Sequence, residues 1–430
     1  MKTHVNRYVL FVAFAMTPMA GTLYADEGRP LLITGAKVLS ADGDRFLSNQ
    51  AVLIVRNRIA GIGLPHKLKA PSAAKTLDLT GLVLVPGLID LHSHLLLHPY
   101  DEASWNDQVL RESLGLRTIR AVVAARATLE AGFTTIRDLG TEGAGYADVA
   151  LRDAINQGII PGPRVLTVTR AIVATGCYGP SGFDPRWNMP VGAQVADGVT
   201  GVRRVVREQI AAGADWIKVY ADYRRRPGDP STPTFSYAEL VAIVDEARSA
   251  GLAVSAHANT PEAIRRAVNA GVETIEHGTG ASDVVLTLMR DHDVTLCPTL
   301  AAGEAMARYS GWKRGQPDHP RIRAAKEMFA RALASGVTIA CGSDVGVFSH
   351  GDNAREIELM VEYGMSPTNA LRAATSVAAR VIGKGAALGR IEQGYLADLI
   401  AVSGNPLEDP SALRSPVVVI KDGKIALDRR

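Results

Sequence analysis

Between residues 86 and 387 the sequence alternates short apolar runs with longer amphipathic stretches, and this alternation is the strongest constraint on its fold. Short apolar runs bounded by Gly or polar residues are typical of buried strands. They read "VLVPGLIDLHSH", "GFTTIRDLG", "PRVLTVTR", "DWIKVYAD", "LAVSAHA", "VETIEHG", "VTLCPTL" and "VTIACGSD". The stretches between several of them predict helices: "YAELVAIVDEARSAG", "TPEAIRRAVNAG", "SDVVLTLMRDHD" and "RAAKEMFARALASG". Ser236 with Glu239 predicts a capping box, and Thr260 before Pro261 predicts an N-cap.

Eight strands alternating with helices predict an α/β fold, a (β/α)8 TIM barrel over residues 86–387. A doubly wound sheet is the competing architecture, which the strand count and the motif positions disfavour. Short strand patterns also lie on both sides of this region, in "LLITGAKVLS", "AVLIVRNRIAGIG" and "KTLDLTGLVLVPG" and again in "ADLIAVSG" and "PVVVIKDGKIALD". We therefore expect residues 28–85 and 388–430 to build one small β-sandwich domain from both ends of the chain.

The N-terminal segment predicts export. Lys2 and Arg7 precede an apolar stretch that ends in small residues near Ala25, so residues 1–25 resemble a cleaved signal peptide and the mature protein is expected to be secreted or periplasmic. An uncleaved membrane anchor is the alternative, disfavoured by the short stretch and by Pro18. The net charge of +3 falls to +1 when Lys2 and Arg7 are removed. A charge this close to zero does not indicate binding to nucleic acid or to an acidic membrane surface.

Polar residues follow the predicted strands at the end where barrel enzymes carry their active sites. These residues are His92, His94, Lys218, His257, His277 and Asp344. Each residue by itself is weak evidence for a metal site, because a single histidine at a strand end usually has only a structural hydrogen-bonding role. Four imidazoles and a carboxylate at one end of a barrel suit Zn²⁺ or a similar divalent ion, and their number favours two ions.

The motifs "PGLIDLHSHL", "IKVY", "SAHA", "IEHG" and "GSD" occur in the order found in the amidohydrolase superfamily, which this chain resembles over nearly its whole mature length. The subgroup with a lysine after the fourth strand carries a binuclear centre. The resemblance implies that His92, His94 and Asp344 bind the more buried ion and that His257 and His277 bind the more exposed one. It further implies that Lys218 bridges both ions as an N6-carboxylysine formed from CO₂.

Physical chemistry agrees with a modified Lys218. Burial and neighbouring cations drive a lysine toward the neutral amine, which can react with CO₂ to give an anionic carbamate. A salt-bridged structural lysine is the alternative. In the expected mechanism two cations acidify a bridging water, and Asp344 takes its proton as general base and returns it as general acid to the leaving group.

A closer similarity links the segments "TFSYAELVAIVDEARSAGLAVSAHA" and "AGVETIEHG" to exported imidazolonepropionase-like and prolidase-like amidohydrolases. That group includes metallo-dipeptidases, carboxypeptidases and enzymes that hydrolyse the amide of ochratoxin A. Many relatives carry "TGGHG" after the third strand, where this chain has "ATGCYGPSGFDPRW", so Tyr178 replaces a histidine. Tyr178, Phe183 and Trp187 are expected to line an apolar or aromatic side-chain pocket. Packing of that loop on the barrel rim is the alternative.

The loop after Lys218 holds the candidates for binding a substrate carboxylate, namely Tyr220, Tyr223, Arg224, Arg225 and Arg226. An arginine can hold a carboxylate through two parallel hydrogen bonds, and the alternative is a solvated basic loop. The expected activity is metal-dependent hydrolysis of the amide bond of a dipeptide or N-acyl amino acid, with an aromatic or hydrophobic C-terminal residue; ochratoxin A fits this description. The competing functions are a lactonase or phosphotriesterase at the same site and a non-enzymatic scaffold. The resemblance also implies a homo-oligomer.

Overall fold

The computed structural model describes residues 29–184, 186–226 and 228–430. The predicted signal segment at residues 1–25, and residue 28 of the predicted small domain, lie outside the described part. The strands are β1 Leu31–Thr34, β2 Lys37–Leu39, β3 Phe46–Leu47, β4 Ala51–Val55, β5 Arg58–Gly63, β6 Lys75–Asp78, β7 Val83–Pro86, β8 Leu88–Ser93, β9 Phe133–Asp138, β10 Arg164–Thr167, β11 Ile172–Val173, β12 Gln194–Val195, β13 Ile217–Tyr220, β14 Asp222–Arg224, β15 Ser231–Pro233, β16 Val254–Ala258, β17 Thr274–His277, β18 Thr295–Cys297, β19 Leu399–Val402, β20 Val418–Lys421 and β21 Lys424–Asp428. The α-helices are α1 Trp105–Leu110, α2 Leu114–Glu130, α3 Ala147–Asn156, α4 Gly198–Ala211, α5 Tyr237–Ser249, α6 Pro261–Ala270, α7 Asp283–Asp291, α8 Leu300–Tyr309, α9 Pro320–Ser335, α10 Arg355–Glu362, α11 Pro367–Ala373 and α12 Ser376–Val381.

The predicted α/β class is confirmed by two parallel sheets whose strands alternate with helices. One sheet has the order β10-β9-β8, and the other has the order β12-β11-β13-β16-β17-β18. Every strand pair in both sheets is parallel. The capping box of Ser236 and Glu239 opens α5 as expected, and the side chain of Thr260 caps α6.

Backbone hydrogen bonds continue across the edges of the two parallel sheets. The amides of Asp215 and Trp216, which precede β13, donate to the carbonyl of Thr167 in β10 at 2.8 and 3.0 Å. On the far side, Ile339 bridges to Leu296 of β18, and Val345 bridges to Ser93 of β8. These contacts connect β10 to the segment before β13, and β18 and β8 to the segment that carries Asp344.

The predicted eighth strand, "VTIACGSD", is an extended segment with isolated bridges at Ile339 and Val345 rather than a ladder. Two features interrupt the ladder. A Cβ on Gly342 would lie only 3.0 Å from Cβ of His92, so this close approach needs glycine. Asp344 itself has a left-handed backbone, with φ of 61°.

The predicted first strand, "VLVPGLIDLHSH", is two strands that belong to different sheets, which corrects the expectation of one continuous strand. β7 pairs with β19 and β2 in a sheet outside the parallel ones, whereas β8 pairs with β9. The break falls at Gly87, where an added Cβ would overlap the Thr134 side chain. The Pro86-Gly87 pair in this run is a turn signal, and it marks the point where the chain changes sheet.

Strands from both ends of the chain form the remaining sheets. One has the order β5-β4-β1-β6 and the other β21-β20-β19-β7-β2-β3, so C-terminal strands pair directly with an N-terminal one. Cys177, Cys297 and Cys341 are buried and unpaired. Among the described residues, none of the helices has the length and apolar character needed to cross a membrane.

One arginine links the parallel sheets to the C-terminal strands. Arg164 of β10 forms ion pairs of 2.6 Å with both Asp398, which precedes β19, and Asp422, which lies in the turn between β20 and β21. Only 3% of the Asp398 side chain is exposed, so this carboxylate depends on Arg164 for compensation of its burial.

We predict that Arg164→Ala destabilises the fold by about 3 kcal/mol, because it leaves a buried carboxylate without its charge partner. The measurement is the midpoint of thermal or urea unfolding. Arg186→Ala serves as a control, because Arg186 is 85% exposed in its pair with Asp184 and its removal is expected to leave the midpoint unchanged. Equal midpoints for wild type and Arg164→Ala would rule out this role for the Arg164 contacts.

Candidate metal centre

His92, His94 and Asp344 form a compact cluster of metal-ligand atoms at the carboxyl end of β8. The two histidines stand two residues apart, so the strand directs both rings to one side. Their Nε2 atoms lie 3.5 and 3.2 Å from Oδ1 of Asp344, respectively. One ligand atom from each of the three residues lies within 4.8 Å of the other two. This distance suits three ligands of one ion.

The loop that carries Asp344 is fixed to β8 by a buried carboxylate, Asp90. Its Oδ1 accepts from the amides of His92 and Ser343 at 3.0 and 2.9 Å. Its Oδ2 accepts from the Ser343 hydroxyl at 2.5 Å and from Nδ2 of Asn353 at 2.7 Å. The amide of Asp344 donates to the carbonyl of His92 at 2.7 Å. Asp344 therefore faces the histidines through backbone contacts that need no ion.

His277 and His257 lie beside this cluster. The ring centroid of His277 is 5.0 Å from that of His92 and 4.6 Å from that of His257. Nδ1 of His277 contacts the Thr299 hydroxyl at 2.7 Å, and Nε2 of His257 contacts Nδ2 of Asn259 at 3.1 Å. These contacts leave Nε2 of His277 and Nδ1 of His257 as the nitrogen atoms that can bind a metal.

Lys218 lies in β13 between these histidines and the core. Its side chain is 1% exposed, and its Nζ lies 5.7 Å from the ring centroid of Tyr220. Burial lowers the pKa of Lys218 to about 8, with an opposing contribution from Glu276. The side chain therefore loses its proton far more readily than an exposed lysine, which is the property that reaction with CO₂ needs.

Sequence reasoning missed Glu276, the residue before His277 in "IEHG". Its Oε1 accepts from Arg137, Ser255 and Thr274 at 2.9, 2.7 and 2.6 Å, and its Oε2 contacts Nδ1 of His92 at 2.8 Å. Although burial opposes its ionisation, Arg137 and His92 hold the pKa of Glu276 well below the ordinary value. The carboxylate orients His92 through Nδ1 and leaves its Nε2 directed at Asp344.

The electrostatics of the cluster favour a bound positive charge. Burial lowers the pKa of His92 to about 4, whereas Asp344 and Glu142 outweigh burial and raise the pKa of His94 to about 9. The Nδ1 of His94 contacts the Gly140 carbonyl at 2.9 Å, so its Nε2 is the atom that faces Asp344. Nitrogen donors held in this way beside a carboxylate fit a first-row divalent ion such as Zn²⁺.

The predicted substrate-binding residues divide into a cluster near the histidines and an exposed group. Tyr220 stacks on His257 with ring centroids 4.6 Å apart, and Tyr178 and Tyr223 lie against Tyr220 at 4.4 and 5.9 Å. Arg224, Arg225 and Arg226 are exposed. Arg224 lies over the Tyr223 ring at 4.9 Å, and Arg225 contacts the carbonyl of Pro233 at 3.4 Å.

A second residue missed from the sequence is Glu142, which follows β9. It is 1% exposed, and its Oε1 lies 3.9 Å from Nδ1 of His94. It accepts hydrogen bonds from the side chains of Tyr178 and Trp105. No motif marked Glu142, because its hydrogen-bond partners, Trp105 of α1 and Tyr178 of the loop after β11, are distant in the sequence.

Comparison with known proteins gives one consistent result. A sequence model of the amidohydrolase family matches residues 83–426. Ochratoxinase of Aspergillus niger is 33% identical over 439 aligned residues, which cover 93% of this chain and 87% of that protein. The crystal structure of a Xaa-Pro dipeptidase with methionine bound in its active site has a TM-score of 0.82 and 33% identity, covering 92% of this chain and 99% of that one. A prolidase crystallised with N-methylphosphonate-L-proline has a TM-score of 0.81 and 32% identity, covering 93% and 100%.

The family match at residues 83–426 includes every candidate metal ligand, and each structural similarity covers more than nine-tenths of this chain. These findings confirm the resemblance inferred from the motifs. The chain belongs to the amidohydrolase family.

Proposed function

We propose that this amidohydrolase uses two divalent ions to cleave the amide bond of a dipeptide or an N-acyl amino acid, preferably one with an aromatic or hydrophobic C-terminal residue. Ochratoxin A is a candidate substrate of this kind. The observation that carries the proposal is the convergence of His92, His94 and Asp344 beside a buried lysine of lowered pKa. The activities named for the ochratoxinase, the dipeptidase and the prolidase support amide hydrolysis.

We propose that one ion is held by His92, His94 and Asp344 and the other by His257 and His277. Lys218, as an N6-carboxylysine, would contribute an oxygen to each. Zinc is the favoured metal, because imidazole and carboxylate ligands suit it. Such ions, when bound, polarise a carbonyl group and lower the pKa of water.

Asp344 is the proposed proton carrier. It accepts a proton from the attacking water and delivers it to the nitrogen of the leaving amine, which must be protonated before the C–N bond breaks. Its left-handed backbone and the Asp90 contacts hold the carboxylate in place. Glu276 keeps His92 in the tautomer whose Nε2 lone pair faces the site.

The substrate is expected to be a small molecule. Tyr220 beside His257 and one of Arg224, Arg225 or Arg226 are the candidates for binding its carboxylate. We further propose a closed barrel, supported by the backbone hydrogen bonds across both sheet edges. Export to the periplasm or medium and a homo-oligomeric state are part of the same proposal, supported by the signal-like sequence and by the family resemblance.

A substrate screen on purified protein tests the function. It compares N-acyl amino acids, dipeptides, ochratoxin A, lactones and phosphotriesters, with metal content measured on the same sample. We expect about two ions per chain and the highest kcat/KM for an amide with an aromatic or hydrophobic C-terminal residue. A lactone or phosphotriester as the best substrate would replace the amidase proposal, and protein free of metal and of activity would point to a scaffold.

Asp344→Asn is expected to lower kcat by at least about 100-fold, the size of effect typical of lost acid–base catalysis. The amide oxygen of asparagine still resembles a ligand, so metal content should stay near the wild-type value. Asp352→Asn is a control on the same loop, where Asp352 pairs with Arg414 at 2.8 Å. Wild-type turnover in Asp344→Asn would exclude the proton-carrier role.

Lys218→Ala is expected to lose both metal and activity, and short carboxylic acids such as formate, acetate and propionate should restore part of each by supplying the missing carboxylate. Metal content by elemental analysis and kcat/KM are the two readouts. Lys326→Ala, at a half-exposed lysine paired with Asp318, should change neither. Failure of every carboxylate at high concentration, in protein that is still folded, would count against a carboxylated Lys218.

A further inference from the structure

The loop after β11 places Tyr178 against Tyr220, the residue that stacks on His257. Tyr178 has a left-handed backbone, with φ of 53°, and its side chain is half-buried. Its hydroxyl donates to Oε2 of Glu142 at 2.5 Å. Burial beside Glu142 raises the pKa of the Tyr178 phenol well above the ordinary value, so the phenol keeps its proton.

Glu142 anchors a second aromatic side chain through the same oxygen. Nε1 of Trp105 donates to Oε2 of Glu142 at 2.8 Å. The Glu142 backbone is held in turn by Arg117, whose Nη1 donates to its carbonyl at 2.7 Å. A hydroxyl has one proton and an indole has one N–H, and both are committed to Glu142. Neither Tyr178 nor Trp105 has a proton left to donate to a substrate.

Tyr178 lies at the centre of an aromatic wall, which we define as Trp105, Tyr178, Tyr220 and Tyr223. The Tyr178 ring centroid is 5.1 Å from that of Trp105, 4.4 Å from Tyr220 and 5.2 Å from Tyr223. These separations fall in the range of favourable tilted and edge-to-face contacts. Tyr220 in turn stacks on His257, so the wall begins directly at a candidate metal ligand.

A tyrosine at position 178 offers less to a substrate carboxylate than a histidine there would. An imidazole can donate a hydrogen bond and can carry a positive charge, and both help to bind a carboxylate. A phenol whose proton is committed to Glu142 offers a substrate its ring and an acceptor oxygen, and neither can donate a hydrogen bond to a carboxylate. A carboxylate placed against this ring would also approach the Glu142 carboxyl group behind it.

We infer that Tyr178, anchored by Glu142, is a specificity-determining residue whose ring receives an uncharged aromatic group of the substrate beside His257 and does not bind the substrate carboxylate. This inference rests on the proposed amide hydrolysis and names the chemistry of one subsite. The carboxylate, where the substrate has one, must then lie away from Tyr178. The preferred substrates are amides whose released amine carries a neutral ring.

The first test compares kcat/KM for N-acetyl-phenylalanine with that for N-acetyl-alanine. Tyr178→Ala should lower the ratio of these two values about tenfold, because the ring contact is lost only for the aromatic substrate. Tyr178→Phe should keep the ratio within about threefold of wild type, because three neighbouring rings still hold the phenyl group. An unchanged ratio in Tyr178→Ala would overturn the inference.

Phe183→Ala is the matched control on the same loop. Phe183 and Trp187 were predicted from the sequence to line the same pocket, but neither ring belongs to the aromatic wall. Phe183 is 39% exposed, and its ring lies 6.2 Å from that of Trp187, which is 61% exposed. Removal of this ring should leave the selectivity ratio at the wild-type value. A loss equal to that of Tyr178→Ala would mean that any change in the loop alters selectivity, which would also overturn the inference.

The second test separates ring binding from carboxylate binding. L-phenylalanine and L-phenylalaninamide, which differ only in the carboxyl group, are measured as inhibitors of wild type and Tyr178→Phe. The inference predicts that the substitution changes both inhibition constants by the same factor, because the hydroxyl binds neither ligand. A tenfold or greater weakening (about 1.4 kcal/mol) confined to phenylalanine would show that the phenol binds the carboxylate.

Metal content and wild-type activity keep the two proposals separable. If the wild-type protein cleaves no amide, the proposed function fails and the role of Tyr178 falls with it. If the wild type prefers aromatic amides, and Tyr178→Ala keeps both its metal and this preference, the inference about Tyr178 alone fails. Loss of metal in Tyr178→Ala would mean that the ring supports the centre rather than the substrate, which also contradicts the inference.

Discussion

One buried carboxylate, that of Glu276, joins four strands at the centre of the molecule. It lies in β17 and receives hydrogen bonds from Arg137 of β9, Ser255 of β16 and its strand neighbour Thr274, while its other oxygen faces His92 of β8. Burial of an unpaired anion in this interior would cost much free energy of folding, and only a full set of hydrogen-bond donors compensates for it. The position of each of these strands is therefore tied to the others by a polar contact as well as by apolar packing.

Buried hydrogen bonds of this kind set the geometry of the candidate metal centre. Glu276 sets the orientation of His92, the Gly140 carbonyl sets that of His94, and Asp90 fixes the loop that carries Asp344. Side chains held by several hydrogen bonds lose little freedom when an ion binds, which favours a preorganised site. On the other side, Glu142 fixes two rings of the aromatic wall. One set of carboxylates thus orients ligands, and another shapes the surface that a substrate meets.

The sequence predicted the parts of this site that depend on strand spacing. The histidines of "DLHSH" share a face because neighbouring side chains alternate along a strand, and the capped starts of α5 and α6 depend only on nearby residues. Two local patterns were misleading. The stretch "VLVPGLIDLHSH" was interpreted as one strand despite its Pro86-Gly87 turn signal, and "VTIACGSD" forms no ladder at Gly342 and Asp344. Glu276 and Arg137 stood within motifs already noted, yet nothing in their spacing showed that they contact each other.

The sequence by itself determined the α/β alternation, the family and the candidates for metal binding, because these follow from periodicity and from the order of short motifs. Only the tertiary structure decided which atoms of those residues face the site. The ring nitrogen that remains for a metal depends on a partner from another strand or loop, as with Glu276 for His92 and Thr299 for His277. The same holds for Tyr178, whose hydroxyl donates its hydrogen bond to Glu142, a residue of a loop distant in the sequence. Hydrogen-bond partners far apart in the chain are chosen by how the strands pack, and no local pattern in the sequence records that choice.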